Sequence, residues 1–266
     1  RDVLGSRGLG DVYKRQVVDG TNAAKVLMHD VYWNYPVEES DGIFAAVASA
    51  AFDKILGGIG DVDVTKLVGA FERGAEEGRL IAWMRNDDEQ NAIKETGIDA
   101  SLPDPDDPSA DPVAGVYFNN LSFSKLDWYL NADTQIGQGI KNGDGTCSYR
   151  ITVTLTNIMT QEEAGKLPDY VAASAPDAAR DDERLNVSLF APTGGNITDL
   201  TVEGTQFGLG AATWHGIPFY SGTVDLHAGE TTTITYTLTT SAEAGDKPLT
   251  LRQTPTCQAA RDSASA

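Results

Sequence analysis

The stretch "CSYRITVTLTN", Cys147–Asn157, decides the fold class, because its side chains alternate between apolar and polar with a period of two. The apolar face carries Tyr149, Ile151, Val153 and Leu155, and the polar face carries Arg150, Thr152, Thr154 and Thr156. Threonine on the outer face of a half-buried strand is typical of an antiparallel sheet that covers a core on one side only. The stretch therefore predicts a β-strand in an antiparallel sheet.

Two more stretches, "RLNVSLF" (184–190) and "TTITYTLTT" (232–240), alternate in the same way. Their predicted inward residues are Leu185, Val187, Leu189, Ile234, Tyr236 and Leu238. "NGDG" (142–145) predicts a hairpin turn between a strand Leu126–Gln135 and the Cys147 strand, and "PTGGN" (192–196) predicts a second turn. Several short strands separated by turns favour an Ig-like β-sandwich over residues 113–258.

Residues 17–98 follow a helical period instead. The pattern predicts a helix from Asn22 that Pro36 stops, and a second helix that Ser40 or Asp41 opens. A third helix, capped by Asp63, has a predicted inner face of Leu67, Val68, Phe71 and Ala75. The short apolar run "RLIAWM", Arg79–Met84, predicts a buried strand, and Asn86 or Asp87 caps a further short helix. The predicted fold class is α+β, with a mainly helical N-terminal subdomain.

The segment "DASLPDPDDPSADP" (99–112) separates the two regions, and it holds four prolines and five aspartates. Such a segment supports neither a helix nor an inner strand, so it predicts an extended, solvated linker. It lacks the spacing and the distal glutamate of a calcium-binding loop. Residues 259–266 are predicted to form a disordered tail.

Residues 1–16 are expected to be an artefact of DNA handling. Asp11–Gln16 can be encoded by GAT GTG TAT AAG AGA CAG, which resembles the transposon end used to prepare sequencing libraries. We therefore exclude these residues from the fold prediction.

The net charge of −19 restricts the classes of partner. A chain this acidic repels phosphate backbones and anionic lipid head groups, so we expect no nucleic acid as a partner and no polybasic docking to a membrane. No apolar run approaches the roughly 20 residues that a bilayer span needs. The sequence contains no phosphate-binding glycine loop and no metal-binding motif, so we expect no metal and no cofactor.

Cys147 and Cys257 are the only cysteines. Cys147 opens one predicted strand and Cys257 closes another, over Leu249–Thr256. If the two strands are antiparallel neighbours, or face each other across the sandwich, the sulfurs lie at the same end. This placement predicts a disulfide, which persists in an oxidising, extracytoplasmic compartment.

Few residues are candidates for a functional site. Lys125, Asp127 and Tyr129 alternate along a predicted strand and would share one face, as a ligand surface or as a structural pairing at the domain junction. His29 next to Asp30 is interpreted as a helix-surface residue, because neighbours on a helix point in different directions. Trp214, in "ATWHGIPF", is interpreted as packed onto the edge of the sandwich, with part of a binding face as the alternative.

Six segments together resemble the C-terminal half of the actinobacterial envelope proteins grouped as domain of unknown function 4012. They are "TNAAKVLMHDVYWNYP" (21–36), "IFAAVASAAFDKIL" (43–56), "GVYFNNLSFSKLDWYLNADTQI" (115–136), "CSYRITVTLTN" (147–157), "VDLHAGETTTITYTLTT" (224–240) and "PLTLRQTPT" (248–256). The resemblance implies an extracytoplasmic location in the cell envelope, with a membrane anchor in a missing N-terminal half. The implied role is non-catalytic binding or scaffolding, with a cell-wall glycopolymer or another envelope protein as partner.

A remoter likeness is to the LytR-CpsA-Psr transferases, and it supplies an alternative function. The chain would then be the C-terminal part of a glycopolymer transferase whose catalytic residues lie upstream. Those enzymes use clustered arginines and aspartates, whereas Arg73, Arg79 and Arg85 are scattered along this sequence. No known catalytic motif occurs in the chain, which favours the non-catalytic reading.

Overall fold

The computed structural model describes residues 18–57, 64–94, 96, 98–99, 102–204 and 208–258. A mainly helical N-terminal region precedes two mostly antiparallel β-sheets, so the predicted α+β class is confirmed. The predictions for residues 1–16, for the Asp63 cap and for the tail 259–266 lie outside the described residues.

The helices of the N-terminal region begin and end close to the predicted positions. They are α1 (Ala23–Lys25), a π-helical turn (Val26–Asp30), α2 (Val31–Asn34), α3 (Val37–Gly57), α4 (Val64–Glu76) and α5 (Asp87–Lys94). α3 begins directly after Pro36 and not at Ser40 or Asp41, because proline is compatible with a helix start. The predicted cap of α5 is confirmed, since Asn86 Oδ1 accepts hydrogen bonds from the amides of Asp88 and Glu89.

Two predictions for this region are wrong. Arg79–Met84 forms no strand, and Trp83 within it is 75% exposed. Val68 and Phe71 of α4, which we expected on an inner face, are also exposed. Apolar periodicity predicts burial only where another element covers the apolar side, and the described residues leave these side chains largely uncovered.

Within the described residues, ten strands form the two sheets. They are β1 (Val113–Asn120), β2 (Leu130–Ile136), β3 (Ile140–Lys141), β4 (Cys147–Asn157), β5 (Glu183–Phe190), β6 (Asn196–Glu203), β7 (Gly210–Trp214), β8 (Ile217–Leu226), β9 (Thr231–Thr239) and β10 (Thr250–Gln253). The first sheet has the order β10-β1-β5-β8-β7, and only its β1–β10 pair is parallel. The second sheet has the order β2-β4-β9-β6, and β3 also pairs with β4. A short helix, α6 (Gln161–Ala164), follows β4.

Both sheets contribute to a single apolar core. The predicted inward residues that are fully or almost fully buried are Ile151, Val153, Leu155, Leu185, Val187, Leu189, Ile234, Tyr236 and Leu238. The prediction of their inward orientation is confirmed. Tyr149 differs, because it is only partly buried against the edge of this core.

The two predicted turns form. The first connects different strands from those expected, whereas the second connects the Leu189 strand to "ITDLTV" as predicted, although these two strands lie in different sheets. The amide of Gly145 donates to Asn142 O at 3.2 Å, and this turn joins β3 to β4. The amide of Gly195 donates to Pro192 O at 2.8 Å, in a turn that passes from β5 in the first sheet to β6 in the second. The strand predicted at Leu126–Gln135 is β2, which begins only at Leu130.

The predicted disulfide between Cys147 and Cys257 is wrong, because both cysteines are free thiols. Cys147 begins β4, whereas Gln258, next to Cys257, donates to the backbone oxygen of Trp128 at 2.6 Å. Leu130, close to Trp128, pairs with Asn157 at the opposite end of β4. At about 3.3 Å per residue the two ends of β4 are roughly 30 Å apart, far beyond the reach of a disulfide.

The direction of the last strand explains this error. β10 pairs with β1 in parallel. The chain that follows it reaches Trp128, beside the Leu130–Asn157 pair, so Cys257 lies at the end of the fold remote from Cys147. An antiparallel β10 would have brought the thiols to one end.

The proline-rich segment is hydrogen-bonded to residues of the two-sheet region, and half of its twelve described residues are exposed. Thr193 Oγ1 donates to Asp104 O at 2.9 Å, and Lys247 Nζ donates to Ser109 O at 2.6 Å. As predicted, its described residues, 99 and 102–112, form no helix or inner strand. The segment thus forms a fixed border of the first sheet.

Candidate functional site

The outer face of the first sheet carries a cluster of aromatic side chains next to its polar positions. Phe190 on β5 and Phe219 on β8 are register partners, and their rings stack with centroids 4.6 Å apart. Tyr117 on β1 meets Phe190 edge to face at 5.8 Å. All three side chains are only partly buried. Because the core lies on the other side of the sheet, core packing does not account for this cluster.

A glycine allows the cluster to lie close to the backbone. A Cβ atom at Gly115 would be 2.8 Å from Tyr117 Cε2 and 3.0 Å from Phe190 Cβ. Both distances are shorter than a normal carbon contact, so any larger residue would displace a ring. Gly115 therefore lets the Tyr117 ring pack over the strand.

The hairpin between β7 and β8 supplies the remaining aromatic side chain. His215 and Gly216 have φ angles of 46° and 83°, as in a two-residue type I′ turn. Trp214 precedes this turn, pairs with Ile217 across the hairpin and is 37% exposed. Trp214 lies on β7, the edge strand of the first sheet, as the preferred interpretation expects, and it also contributes to the wall of a cleft.

These side chains enclose a cleft of about 370 Å³. It is lined by Leu102, Pro103, Val113, Gly115, Tyr117, Phe190, Ala191, Trp214 and Ile217, and we call it the aromatic cleft. Its volume is within the range of small-molecule sites. Burial raises the pKa of the Tyr117 phenol, which therefore remains neutral. Among the described residues that line the cleft, Tyr117 carries the one ionisable side chain, and the other side chains are apolar or aromatic.

The structure separates the three residues predicted to share one face. Lys125 lies in a bend and Asp127 begins a 3₁₀ turn, Asp127–Tyr129, so the residues are not on a strand. Lys125 and Asp127 are exposed, with Lys125 Nζ 5.9 Å from the centre of the Tyr32 ring, whereas Tyr129 is buried. The predicted surface is therefore wrong. The residues instead lie where α2 meets the sheets.

A hydrogen-bonded chain at this junction was missed in the sequence. His29 Nδ1 and Asp30 Oδ1 are 2.8 Å apart, and His29 Nε2 is 2.8 Å from the Tyr129 hydroxyl. The carboxylate can only accept, so Nδ1–H donates to it, and Nε2 and the Tyr129 hydroxyl form the second hydrogen bond. The π-helical turn brings the neighbouring His29 and Asp30 side chains together, contrary to our expectation for a regular helix. Tyr129 is 100 positions away in the chain, which is why no local pattern indicated the contact.

The hydrogen-bonded chain joins the N-terminal helical residues to the 3₁₀ turn that precedes β2. The His29 ring also stacks on Trp33 at 5.3 Å. Burial, and next the Glu163 carboxylate, raise the pKa of the Tyr129 phenol, so Tyr129 stays a donor. The aromatic cleft is lined by none of these residues.

Replacing Tyr129 with Phe is expected to loosen this junction. The change removes the hydrogen bond between the Tyr129 hydroxyl and His29 Nε2. The part-buried Nε2 then has lost this partner, at a cost of about 1 kcal/mol. Amides 26–34 should then exchange with deuterium about five-fold faster. Tyr170→Phe is the control, because Tyr170 packs on Tyr32 at 5.8 Å and is more exposed. Equal exchange rates in the two variants would contradict a stabilising role for the hydrogen bond between His29 and Tyr129.

Glu183, at the start of β5, is a fully buried acid. Asn120 Nδ2 donates to its Oε1 at 3.3 Å, and Oε2 has no hydrogen-bond partner among the described residues. Burial, and then the charges of Asp127 and Asp182, raise the pKa of this carboxyl well above its usual range. The sequence contains a signal for it, since Glu183 occupies an inward position in the series that continues with Leu185.

A second and larger cleft, of about 560 Å³, lies between α4 and β10. Phe71, Glu72 and Glu76 of α4 line one side, and Thr250 and Leu251 line the other. Because this second cleft is lined by both charged and apolar side chains, its walls do not indicate one chemical class of ligand.

The described residues also limit two other kinds of site. Within these ranges, no three His, Cys, Asp or Glu side chains are grouped as a metal site requires. None of the described helices has the length and apolar character of a bilayer span.

Comparison with known proteins adds little to this picture. No protein-family model matches the chain, and no curated protein matches it. A solved structure from Legionella pneumophila, provisionally assigned as a nutrient binding protein, is similar at 11% identity and a TM-score of 0.28. The similarity covers 50% of this chain and 45% of that chain, so this chain spans less than half of that protein. A likeness this distant supports no conclusion on fold or function.

Proposed function

We propose that the chain is a non-catalytic binding module of an extracytoplasmic envelope protein and that its ligand binds in the aromatic cleft. The observation that carries this proposal is the cleft itself, which is a preformed and mainly apolar surface whose one ionisable group among the described lining residues is the neutral Tyr117 phenol. Such a site holds a ligand through burial and shape.

The proposed location rests on the sequence. The segments at 21–36 and 115–136, with the others quoted above, resemble envelope proteins of the family named domain of unknown function 4012. The finer architecture that we propose is an Ig-like β-sandwich, supported by two mostly antiparallel sheets around one core. The free cysteines no longer contribute evidence for an oxidising compartment.

Co-sedimentation of the purified chain with isolated actinobacterial cell envelopes tests this function. We expect saturable binding that weakens about 30-fold in Trp214→Ala, because truncating an aromatic anchor in an apolar site costs about 2 kcal/mol. Trp83→Ala is the matched control, since Trp83 is exposed and lies outside the aromatic cleft. It should bind like the unchanged chain.

Two results would contradict the proposal. The first is the absence of saturable sedimentation, and the second is equal binding by the Trp214 and Trp83 variants. Circular dichroism of both variants verifies that neither substitution has unfolded the sheets.

A further inference from the structure

We propose that the aromatic cleft binds one hydrocarbon chain of an uncharged amphiphile and leaves its head group in solvent. This inference rests on the proposed function and specifies its ligand. It follows from the chemistry of the walls, the fixed shape of the cleft and the charge at its mouth.

The walls favour hydrocarbon over sugar. Leu102, Val113 and Ile217 give aliphatic contacts opposite the Tyr117 and Phe190 rings. A sugar in this space would lose the hydration of its hydroxyl groups and find few partners for them, which is costly for each group.

Polar side chains beyond the rings do not change this conclusion. Ser188 and Ser221 Oγ atoms are 2.9 Å apart, and Ser221 Oγ donates to Asn186 Oδ1 at 3.1 Å. These groups on the same sheet already hydrogen-bond to one another. A ligand would have to break existing hydrogen bonds to use them.

The shape of the cleft suits a small apolar group and is held by the surrounding chain. Apolar cavities much smaller than 370 Å³ stay dry and bind hydrocarbon molecules. Leu102 and Pro103 form one border, and the hydrogen bond from Thr193 to Asp104 O fixes the segment that carries them. Since the border is already in place, little ordering is needed on binding.

The charge near the cleft disfavours an anionic head group. Asp104 directly follows Pro103, Asp106 lies two residues further along, and the whole chain carries a net charge of −19. A carboxylate or phosphate at the mouth would be repelled. We therefore expect an uncharged head group in preference to an acidic one.

A chain-length series of linear 1-alkanols, from butanol to dodecanol, tests the inference by calorimetric titration of the full chain. Each added methylene should tighten Kd by about four-fold until the cleft is full, after which Kd should level off. Alkanoates of equal length should bind more weakly. Surface adsorption would give no levelling at a fixed length.

Variants locate the binding. Val113→Phe partly fills the cleft, so Kd should level off at a shorter alkanol. Leu102→Ala removes a border and should weaken binding at every length, and it provides a second measurement if the larger side chain at Val113 disturbs β1. Trp83→Ala should leave the series unchanged.

The outcomes separate this inference from the proposed function. A flat series together with Trp214-dependent sedimentation would overturn the hydrocarbon ligand and leave the binding module intact. A flat series without sedimentation would overturn both. Unchanged binding in Val113→Phe and Leu102→Ala, or tighter binding of alkanoates than of alkanols, would also overturn the hydrocarbon assignment in this cleft.

Discussion

Replacing Tyr236 with Ala is expected to lower the free energy of unfolding by about 3–5 kcal/mol, because Tyr236 is among the largest side chains that are fully buried between the sheets. Replacing Tyr236 with Phe should instead raise the free energy of unfolding. The Tyr236 hydroxyl has no hydrogen-bond partner among the described residues, so its removal relieves a desolvation cost and should stabilise the fold by about 1 kcal/mol.

Urea unfolding followed by circular dichroism measures both changes. Tyr220→Phe is the control, because Tyr220 is only partly buried at the edge of the same core, and its change should stay within about 0.5 kcal/mol. A loss of more than about 1 kcal/mol in Tyr236→Phe would mean that the hydroxyl has a partner in solution.

The second large effect is a dependence of stability on pH that originates at Glu183. Its pKa is raised above the ordinary value of 4.5 in the folded state. Above pH 4.5 the unfolded chain loses this proton first, so the folded state binds more protons and the free energy of unfolding falls as pH rises. The slope from this one group is up to about 1.4 kcal/mol per pH unit, until the pH passes the raised pKa.

Glu183→Gln removes this titration. As the pH rises from 4 to 8, the Glu183→Gln variant should therefore become increasingly more stable than the unchanged chain. The measured quantity is the difference between their free energies of unfolding. Guanidinium unfolding at each pH measures it. Glu203→Gln serves as control, since Glu203 is exposed at the end of β6. A difference that is independent of pH would show that the Glu183 carboxyl ionises normally in the folded chain.

The sequence by itself determined the elements whose pattern repeats locally. Alternation over Cys147–Asn157 predicted both a strand and its buried face, because a strand exposes its two faces at every second residue. The cap of α5 was predictable for the same reason, since Asn86 satisfies amides two and three residues away. Such contacts depend on short separations along the chain.

Only the tertiary structure decided which elements meet. The parallel pairing of β1 with β10 placed Cys257 at the end remote from Cys147, and strand direction has no local signature. The contact of His29 with Tyr129 joins positions 100 apart. The exposure of Trp83 depended on which surfaces were covered, and not on its own apolar character.

The aromatic cleft shows the same division. The sequence marked Trp214 as a residue of either a binding face or a packed edge. Tyr117, Phe190 and Ile217 come from three strands, and each looked ordinary in its own segment. They form a cleft because the order β1-β5-β8-β7 sets those strands side by side, and the energy that selects this order comes from the shared core on the other face.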